Sequence, residues 1–292
     1  MTRILLTGGG GFLGRYLGPR LSAQGAELLT TSLQARAGVV ALDLSDASAC
    51  AALLADWQPQ CIVHLAAQAF VGHGCEEDFY RVNVLATDHL LKAALQLPQA
   101  PYVLVCSSAN VYGRAAVDCI DESCPVQAIN HYAISKLAME YRLQAYTDRL
   151  PVAVVRPFNF TGPGQSRDFL VAKLVHHFAH REAAVSLGNL QVARDFSDVR
   201  DVAAAVALLV EGRHTGLFNI ASGTATPLLT IWDTLVELCA HRPRLLVDPA
   251  LVRHDEIPRL CGDATRLRQR TGWQARIPLR QTLADMLQES TP

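Results

Sequence analysis

Thr7-Gly8-Gly9-Gly10-Gly11-Phe12-Leu13-Gly14 decides how this chain is read. The stretch follows the apolar run Ile4-Leu5-Leu6 and passes directly into a segment of helical period over about residues 12–24. Glycines are required where a strand turns sharply into a helix and the backbone must approach a pyrophosphate closely. The helix N-terminus then aims unpaired N–H groups and its positive dipole end at the anion. Two registers fit, Gly9-x-Gly11-x-x-Gly14 and Gly8-x-x-Gly11-x-x-Gly14. A glycine-rich turn without a ligand is the plainer alternative, and the position at the first strand-to-helix junction favours the phosphate reading.

Working outward, further short apolar runs recur at Glu27-Leu28-Leu29, Val39-Val40-Ala41-Leu42, Cys61-Ile62-Val63-His64, Tyr102-Val103-Leu104-Val105-Cys106 and Val152-Ala153-Val154-Val155. Amphipathic stretches at about 46–56, 78–97 and 130–149 separate them. Such alternation predicts a parallel sheet covered on both faces, and the absence of polar alternation within the runs agrees. After Pro157 the pattern breaks into a loop at 158–166 and a helix near 167–181, and one more helix-strand unit follows at 199–211 and 217–220. The expected fold is therefore α/β, a doubly wound parallel sheet of Rossmann type with a smaller C-terminal substrate-binding lobe. Residues 1–158 and about 197–221 are assigned to the dinucleotide-binding part, and about 159–196 and 222–292 to the lobe.

The 292 residues carry 26 Lys+Arg against 27 Asp+Glu, a formal net charge of -1, so no electrostatic footprint for nucleic acid or an anionic membrane surface is present. No run of 18 uncharged apolar residues spans a bilayer, and nothing at the N-terminus reads as a targeting leader. A cytoplasmic location is the expectation. The eight cysteines form no CxxC pair and read as reduced packing residues. His176 and His180 stand four apart on a predicted helix, but no third ligand accompanies them and no metal site is expected. His64 and His73 read as structural or pocket-lining.

Sites for NAD place an acidic residue about 20 positions beyond the glycine loop, on the adenosine ribose. Here that stretch is Thr30-Thr31-Ser32-Leu33-Gln34, without a carboxylate, while Arg15 and Arg36 are placed to face a 2′-phosphate. NADP(H) is favoured, with NAD(H) as the alternative. Asp43-Leu44, closing the third strand, is a candidate adenine contact.

Tyr132 and Lys136 put a phenol and an ammonium on one face of a predicted helix, in a chain holding only three lysines. Ser107-Ser108-Ala109-Asn110 follows the fifth strand directly, at the carboxyl edge where doubly wound sheets bind ligands. Taken with His64-Leu65-Ala66-Ala67-Gln68, Arg81-Val82-Asn83-Val84, Arg156-Pro157-Phe158-Asn159 and Arg194-Asp195-Phe196-Ser197-Asp198-Val199, the sequence resembles the extended short-chain dehydrogenase/reductase family. Pro157-Phe158-Asn159, Gly162-Pro163-Gly164-Gln165-Ser166 and Gly188-Asn189-Leu190 resemble more closely its GDP-4-keto-6-deoxy-D-mannose reductases, which form GDP-D-rhamnose.

That resemblance implies Tyr132 as general acid, Ser108 as hydrogen-bond donor to the substrate carbonyl, and Lys136 as holder of the nicotinamide ribose and tuner of the phenol. It places Gly8, Gly11, Phe12, Leu13, Gly14, Leu65, Ala66, Ala67, Asn83 and Phe158 around the cofactor, with Tyr132 and Lys136 also in contact with it. Gln68, Asn110, Asn159, Asn189, Arg194 and Arg253 are placed around a nucleotide-sugar substrate. It also implies a homodimer formed through the helices at about 80–97 and 130–149.

Ala109 and Asn110 stand where the family's 4,6-dehydratases carry an Asp-Glu pair, and no cysteine stands at the position used by epimerase-reductases. Simple 4-keto reduction is the expected reaction. A nucleotide-sugar 4-epimerase retaining NAD is the alternative, and a non-catalytic dinucleotide sensor is disfavoured by the Tyr132/Lys136 pair.

Overall fold

The computed structural model describes residues 1–69, 75–252 and 256–290. Its first half is a strand-helix alternation: β1 (Arg3–Thr7), α1 (Phe12–Ala23), β2 (Glu27–Ser32), β3 (Val40–Ala41), α2 (Ala47–Trp57), β4 (Cys61–His64), α3 (Glu76–Tyr80), α4 (Ala86–Ala94), β5 (Tyr102–Cys106), α5 (His131–Gln144) and β6 (Val152–Pro157). The second half holds β7 (Asn159–Thr161), α6 (Leu170–Ala179), β8 (Ala184–Leu187), β9 (Ala193–Asp198), α7 (Val199–Glu211), β10 (Gly216–Ile220), β11 (Ala225–Pro227) and α8 (Leu228–Cys239). After these come β12 (Arg244–Val247), β13 (Arg259–Leu260), α9 (Thr265–Thr271) and α10 (Leu279–Ser290).

Seven strands form one parallel sheet in the order β10-β6-β5-β4-β1-β2-β3. The order reverses between β1 and β4, which opens a crevice at the carboxyl ends of those strands. Alternate side chains enter opposite cores: Ile4 and Leu6, like Cys61 and Val63, pack with α1 and α7, whereas Leu5 and Ile62 pack with α2, α4 and α5. Because both faces are buried, each such side chain contributes about 1.5–3 kcal/mol, and strands so placed need no polar alternation.

β7, β9, β11 and β13 make a second sheet beyond the carboxyl edge of the first, and β8 pairs with β12. A separate apolar cluster around Leu174, Phe178, Trp232 and Leu235 packs α6 against α8 and α10. The chain runs from β6 into β7 through Phe158, from β9 through α7 back to β10, and from β10 into β11. The two sheets are thus stitched together by repeated passes.

One expected helix is divided. The stretch at 78–97 consists of α3, a π turn over Arg81–Leu85, and α4. The extra residue of the π turn re-aims Asn83 inward, where it is fully buried.

Candidate active site

The glycine loop is shaped by steric necessity. Gly8 has φ +69°, and a Cβ there would lie 2.5 Å from the Ala66 backbone nitrogen. A Cβ on Gly14 would lie 2.5 Å from the Gly9 Cα, so helix and turn meet only because both residues are bare. Gly11 caps α1 with no side-chain hydrogen bond, leaving the first-turn N–H groups aimed outward. Gly9 is bare for the same reason, since a Cβ there would lie 2.2 Å from Thr30 Cγ2, so the loop meets the demands of both glycine registers. A cradle in which two glycines admit close backbone approach, at a helix N-terminus bearing no acidic first turn, fits a dinucleotide pyrophosphate.

Phe12 stacks on Phe160 at 5.8 Å and Leu13 is buried, so these two offer a ligand their backbone and not their side chains. Arg15 departs from expectation: its guanidinium donates to the Gly164 carbonyl at 2.6 Å, drawn across to the loop after β7 and not to the end of β2. Arg36 stays exposed in a tight turn closed by Arg36 and Val39, and Gly10 abuts Ser32. Asp43 is exposed, with its carboxyl held below the ordinary carboxylate range by hydrogen bonds from Ser45. Leu44 is buried.

Leu65, Ala66 and Ala67 follow β4 beside the glycine turn, each partly exposed. Asn83 does not offer its side chain to a ligand. Its Oδ1 accepts from the Gln68 N–H at 2.9 Å, and its Nδ2 donates to the Gln68 carbonyl at 3.1 Å and to Ser135 Oγ at 3.0 Å. It ties the loop after β4 to α5, and with it fixes the backbone of Gln68.

At the end of β5, Ser108 caps a short 3-10 turn, Ala109–Tyr112, accepting from the Asn110 N–H at 3.2 Å. Its hydroxyl faces the phenol of Tyr132, which is partly exposed in the first turn of α5 and meets the ring of Phe79 edge-on at 6.1 Å. Burial pushes the Tyr132 phenol up to about 12, with the Ser108 hydroxyl opposing. The expected lowering by Lys136 is not found in the free chain. The buried ammonium donates to the Cys106 carbonyl at 2.7 Å, and burial lowers its own pKa against the attraction of Cys106 and Glu140.

Glu140, one turn beyond Lys136, accepts from Ser107 Oγ at 2.5 Å and pairs with Arg156, whose guanidinium lies 4.7 Å over the Tyr112 ring. This buried ion pair fixes the end of β5 to α5, and so holds Ser108 opposite Tyr132. Sequence reasoning passed over Glu140, although its i,i+4 relation to Lys136 marked it.

On the far side of the crevice, Phe158 is buried between Tyr112 and Gly262, which has room for no Cβ. Asn159 is exposed on β7, and Asn110 and Asn189 are partly exposed. Arg194 donates to the Ala193 carbonyl at 2.9 Å and forms an ion pair with Glu256, a partner 62 residues away that no local pattern announces. Asp195 beside it is buried, receiving the N–H groups of Ser222, Gly223 and Gly262, which anchors β9 to the segments after β10 and β13. Arg253 and His73 lie outside the described residues. The rings of His176 and His180 lie 4.0 Å apart, tilted by 47°, and among the described residues no group of three metal-ligating side chains converges.

With this geometry in place, likeness to known proteins is informative. Residues 4–221 match the NAD dependent epimerase/dehydratase family. The chain is 33% identical over 268 residues to the GDP-6-deoxy-D-talose 4-dehydrogenase of Aggregatibacter actinomycetemcomitans, covering 91% of this chain and 90% of that one. It is 30% identical to the GDP-6-deoxy-D-mannose reductase of Pseudomonas aeruginosa, covering 98% and 96%. The structure of RMD from Pseudomonas aeruginosa complexed with NADPH superposes with a TM-score of 0.85 at 28% identity, over 99% of each chain. The phosphate cradle, the Ser108-Tyr132-Lys136 cluster and these similarities agree: the chain belongs to the NAD dependent epimerase/dehydratase family, the extended branch of the short-chain dehydrogenases/reductases, and is an NAD(P)-dependent oxidoreductase.

Proposed function

We propose that the protein reduces the 4-keto group of a nucleotide-diphospho-4-keto-6-deoxyhexose, with GDP-4-keto-6-deoxy-D-mannose as the favoured substrate. The observation that carries this reading is the pairing of the Ser108 hydroxyl with the Tyr132 phenol, close enough to draw the phenol's pKa down, on a turn whose next residues, Ala109 and Asn110, bring no further acid or base. The names of the relatives, a GDP-6-deoxy-D-talose 4-dehydrogenase and a GDP-6-deoxy-D-mannose reductase, support the substrate class.

The chain's own residues divide the work. The first-turn N–H groups of α1 would hold the pyrophosphate and Lys136 the nicotinamide ribose. When bound, the reduced nicotinamide supplies the hydride. Ser108 orients the ketone oxygen, and Tyr132, protonated at neutral pH as a phenol ordinarily is and kept so by burial, delivers a proton to that oxygen as negative charge develops. Asn159, Asn189, Arg194 and Arg253 would hold the substrate's nucleotide-diphosphate arm, the arginines because a planar guanidinium pairs two phosphate oxygens. Engagement of Arg194 then requires it to share or exchange Glu256.

NADPH is preferred to NADH in this reading, because the end of β2 offers Ser32 and the exposed Arg36 in place of a carboxylate. The two-lobe division at 158/159 and at about 197–221 belongs to the same proposal. So does a homodimer packed through the helical segments at about 80–97 and 130–149, where Leu85, Ile134 and Tyr141 remain exposed in the single chain.

The test is incubation of purified protein with GDP-4-keto-6-deoxy-D-mannose and NADPH or NADH. Stoichiometric cofactor oxidation with a C4 alcohol identified by NMR is expected, and the configuration at C4 distinguishes the rhamnose from the talose product. Copurification of tightly held NAD+, with C4 inversion of a sugar nucleotide and no net cofactor consumption, would establish the epimerase reading instead. A dTDP-L-rhamnose 4-epimerase of Burkholderia thailandensis, 28% identical, is the similarity that keeps that reading in view.

A further inference from the structure

His64 is buried at the end of β4, 1% exposed, and takes no part in the chemistry assigned above. Its Nδ1 lies 2.7 Å from Thr7 Oγ1, at the entry to the glycine loop, and its Nε2 lies 2.9 Å from Thr87 Oγ1 in α4. The directions of these bonds follow from the next link. Thr87 Oγ1 donates to the Asn83 carbonyl at 2.9 Å, and a hydroxyl has one proton. Thr87 must therefore accept from His64, which fixes the Nε2–H tautomer, and Nδ1 in turn accepts from Thr7. The ring is neutral: burial foremost, with Lys136 nearby, pushes its pKa down to about 3.

The Asn83 carbonyl lies inside the π turn Arg81–Leu85. A threonine hydroxyl that bonds the carbonyl four residues back perturbs the helical ladder there, and one added residue rotates the helix before it by about 100° relative to the helix after it. That rotation separates an Asn83 pointing along the surface from the observed one, clamped on Gln68 and Ser135. Ser135 Oγ donates in turn to the Tyr132 carbonyl at 2.8 Å. A continuous path of hydrogen bonds thus joins Thr7, His64, Thr87, Asn83 and Ser135 to the backbone of Tyr132.

We infer that His64 is a positioning residue: through its Nε2–H it pins the Thr87 hydroxyl on the Asn83 carbonyl, keeps residues 81–85 in π register, and thereby sets the spacing between the glycine-loop edge and the helix carrying Tyr132 and Lys136. Misplacement of reacting groups by an ångström is enough to cost one to two powers of ten in rate.

The test uses Thr87→Val, nearly isosteric but without the hydroxyl, and Thr87→Ser, which retains it. Thr87→Val lowers kcat about tenfold or more, leaves the NADPH Kd within about threefold, and in its crystal structure shows residues 81–85 returned to α register with Asn83 off Ser135. Thr87→Ser restores kcat. Unchanged turnover in Thr87→Val, or a π turn persisting there, would overturn the inference. Should Thr87→Val fail to fold, 15N NMR of the wild-type protein decides. His64 is expected as the neutral Nε2–H tautomer throughout about pH 5–8, and an Nδ1–H tautomer or a titration in that range overturns it. Only the turnover readout rests on the proposed reduction; if the wild type fails to reduce the sugar nucleotide, that reaction falls while the crystal structure and the NMR still judge His64.

Discussion

At Tyr132 two influences oppose each other: removal from water raises the phenol pKa, and the hydroxyl of Ser108 draws it back. The balance near 12 means the proton is present when needed and must be restored after each turnover. Tyr132→Phe removes the phenolic hydroxyl and with it that proton, so the variant should still bind NADPH and lose about 10²–10⁴ in kcat. Fluorescence titration and steady-state assay separate the two, and equal turnover in both forms would defeat the catalytic assignment. The i,i+4 spacing of Tyr132 and Lys136 was legible because it needs only one helix. The directions of Arg15 towards Gly164 and of Arg194 towards Glu256 were not, since each depends on contact between segments 149 and 62 residues apart. The motif around Asn83 marks a constrained residue without saying by what, and its side chain is spent on Gln68 and Ser135.

Among the elements, α4 and α5 are bound to one another by a shared carboxylate. Asp88 receives Arg142 and Tyr146 at 2.5 Å each and pairs with Lys92, and these bonds, outweighing burial, bring its pKa down to about 2. The pair of helices is thus pre-assembled before any partner arrives. In the proposed dimer, Ile134→Lys or Tyr141→Asp places a charge in the apolar contact. Each should yield monomers in sedimentation velocity at concentrations where the wild type is dimeric, with the monomer's far-ultraviolet dichroism intact. A wild type that sediments as a monomer would remove this assignment. The strands and most helices were readable from apolar period alone, because a sheet buried on both faces leaves a continuous apolar record. The π turn left none: its cause is His64, 23 residues before Thr87.

For the molecule as a whole, the buried neutral His64 makes stability depend on pH. Its folded pKa, about 3, lies below the ordinary histidine value near 6.5, so between these limits the unfolded chain binds a proton that the native chain does not. Stability is therefore fully present above about pH 6.5 and falls as the pH drops towards 3, by up to about 1.4 kcal/mol per unit. Asp88 acts in a lower window, its contribution being lost as the pH falls below about 4 towards 2. Urea unfolding at pH 7 and pH 4.5 should show the first loss, and the His64→Gln variant should show a flatter dependence over the same interval. An identical slope in that variant would assign the effect to other groups. The fold class was predictable at this scale because strand order and handedness follow from short connections between parallel strands, whereas the pairing of β7, β9, β11 and β13 depends on residues scattered from 159 to 260.

The repeated passage of the chain between the two sheets has a consequence for redesign. A chimera that takes the seven-stranded sheet from one homologue and the second sheet from another cannot be made with a single crossover. It needs junctions near Phe158, within the α7 approach and after Ile220, each at a place where backbone from both donors must fit together. Shuffling libraries built on one breakpoint should therefore yield few soluble members, and multi-junction grafts should recover them.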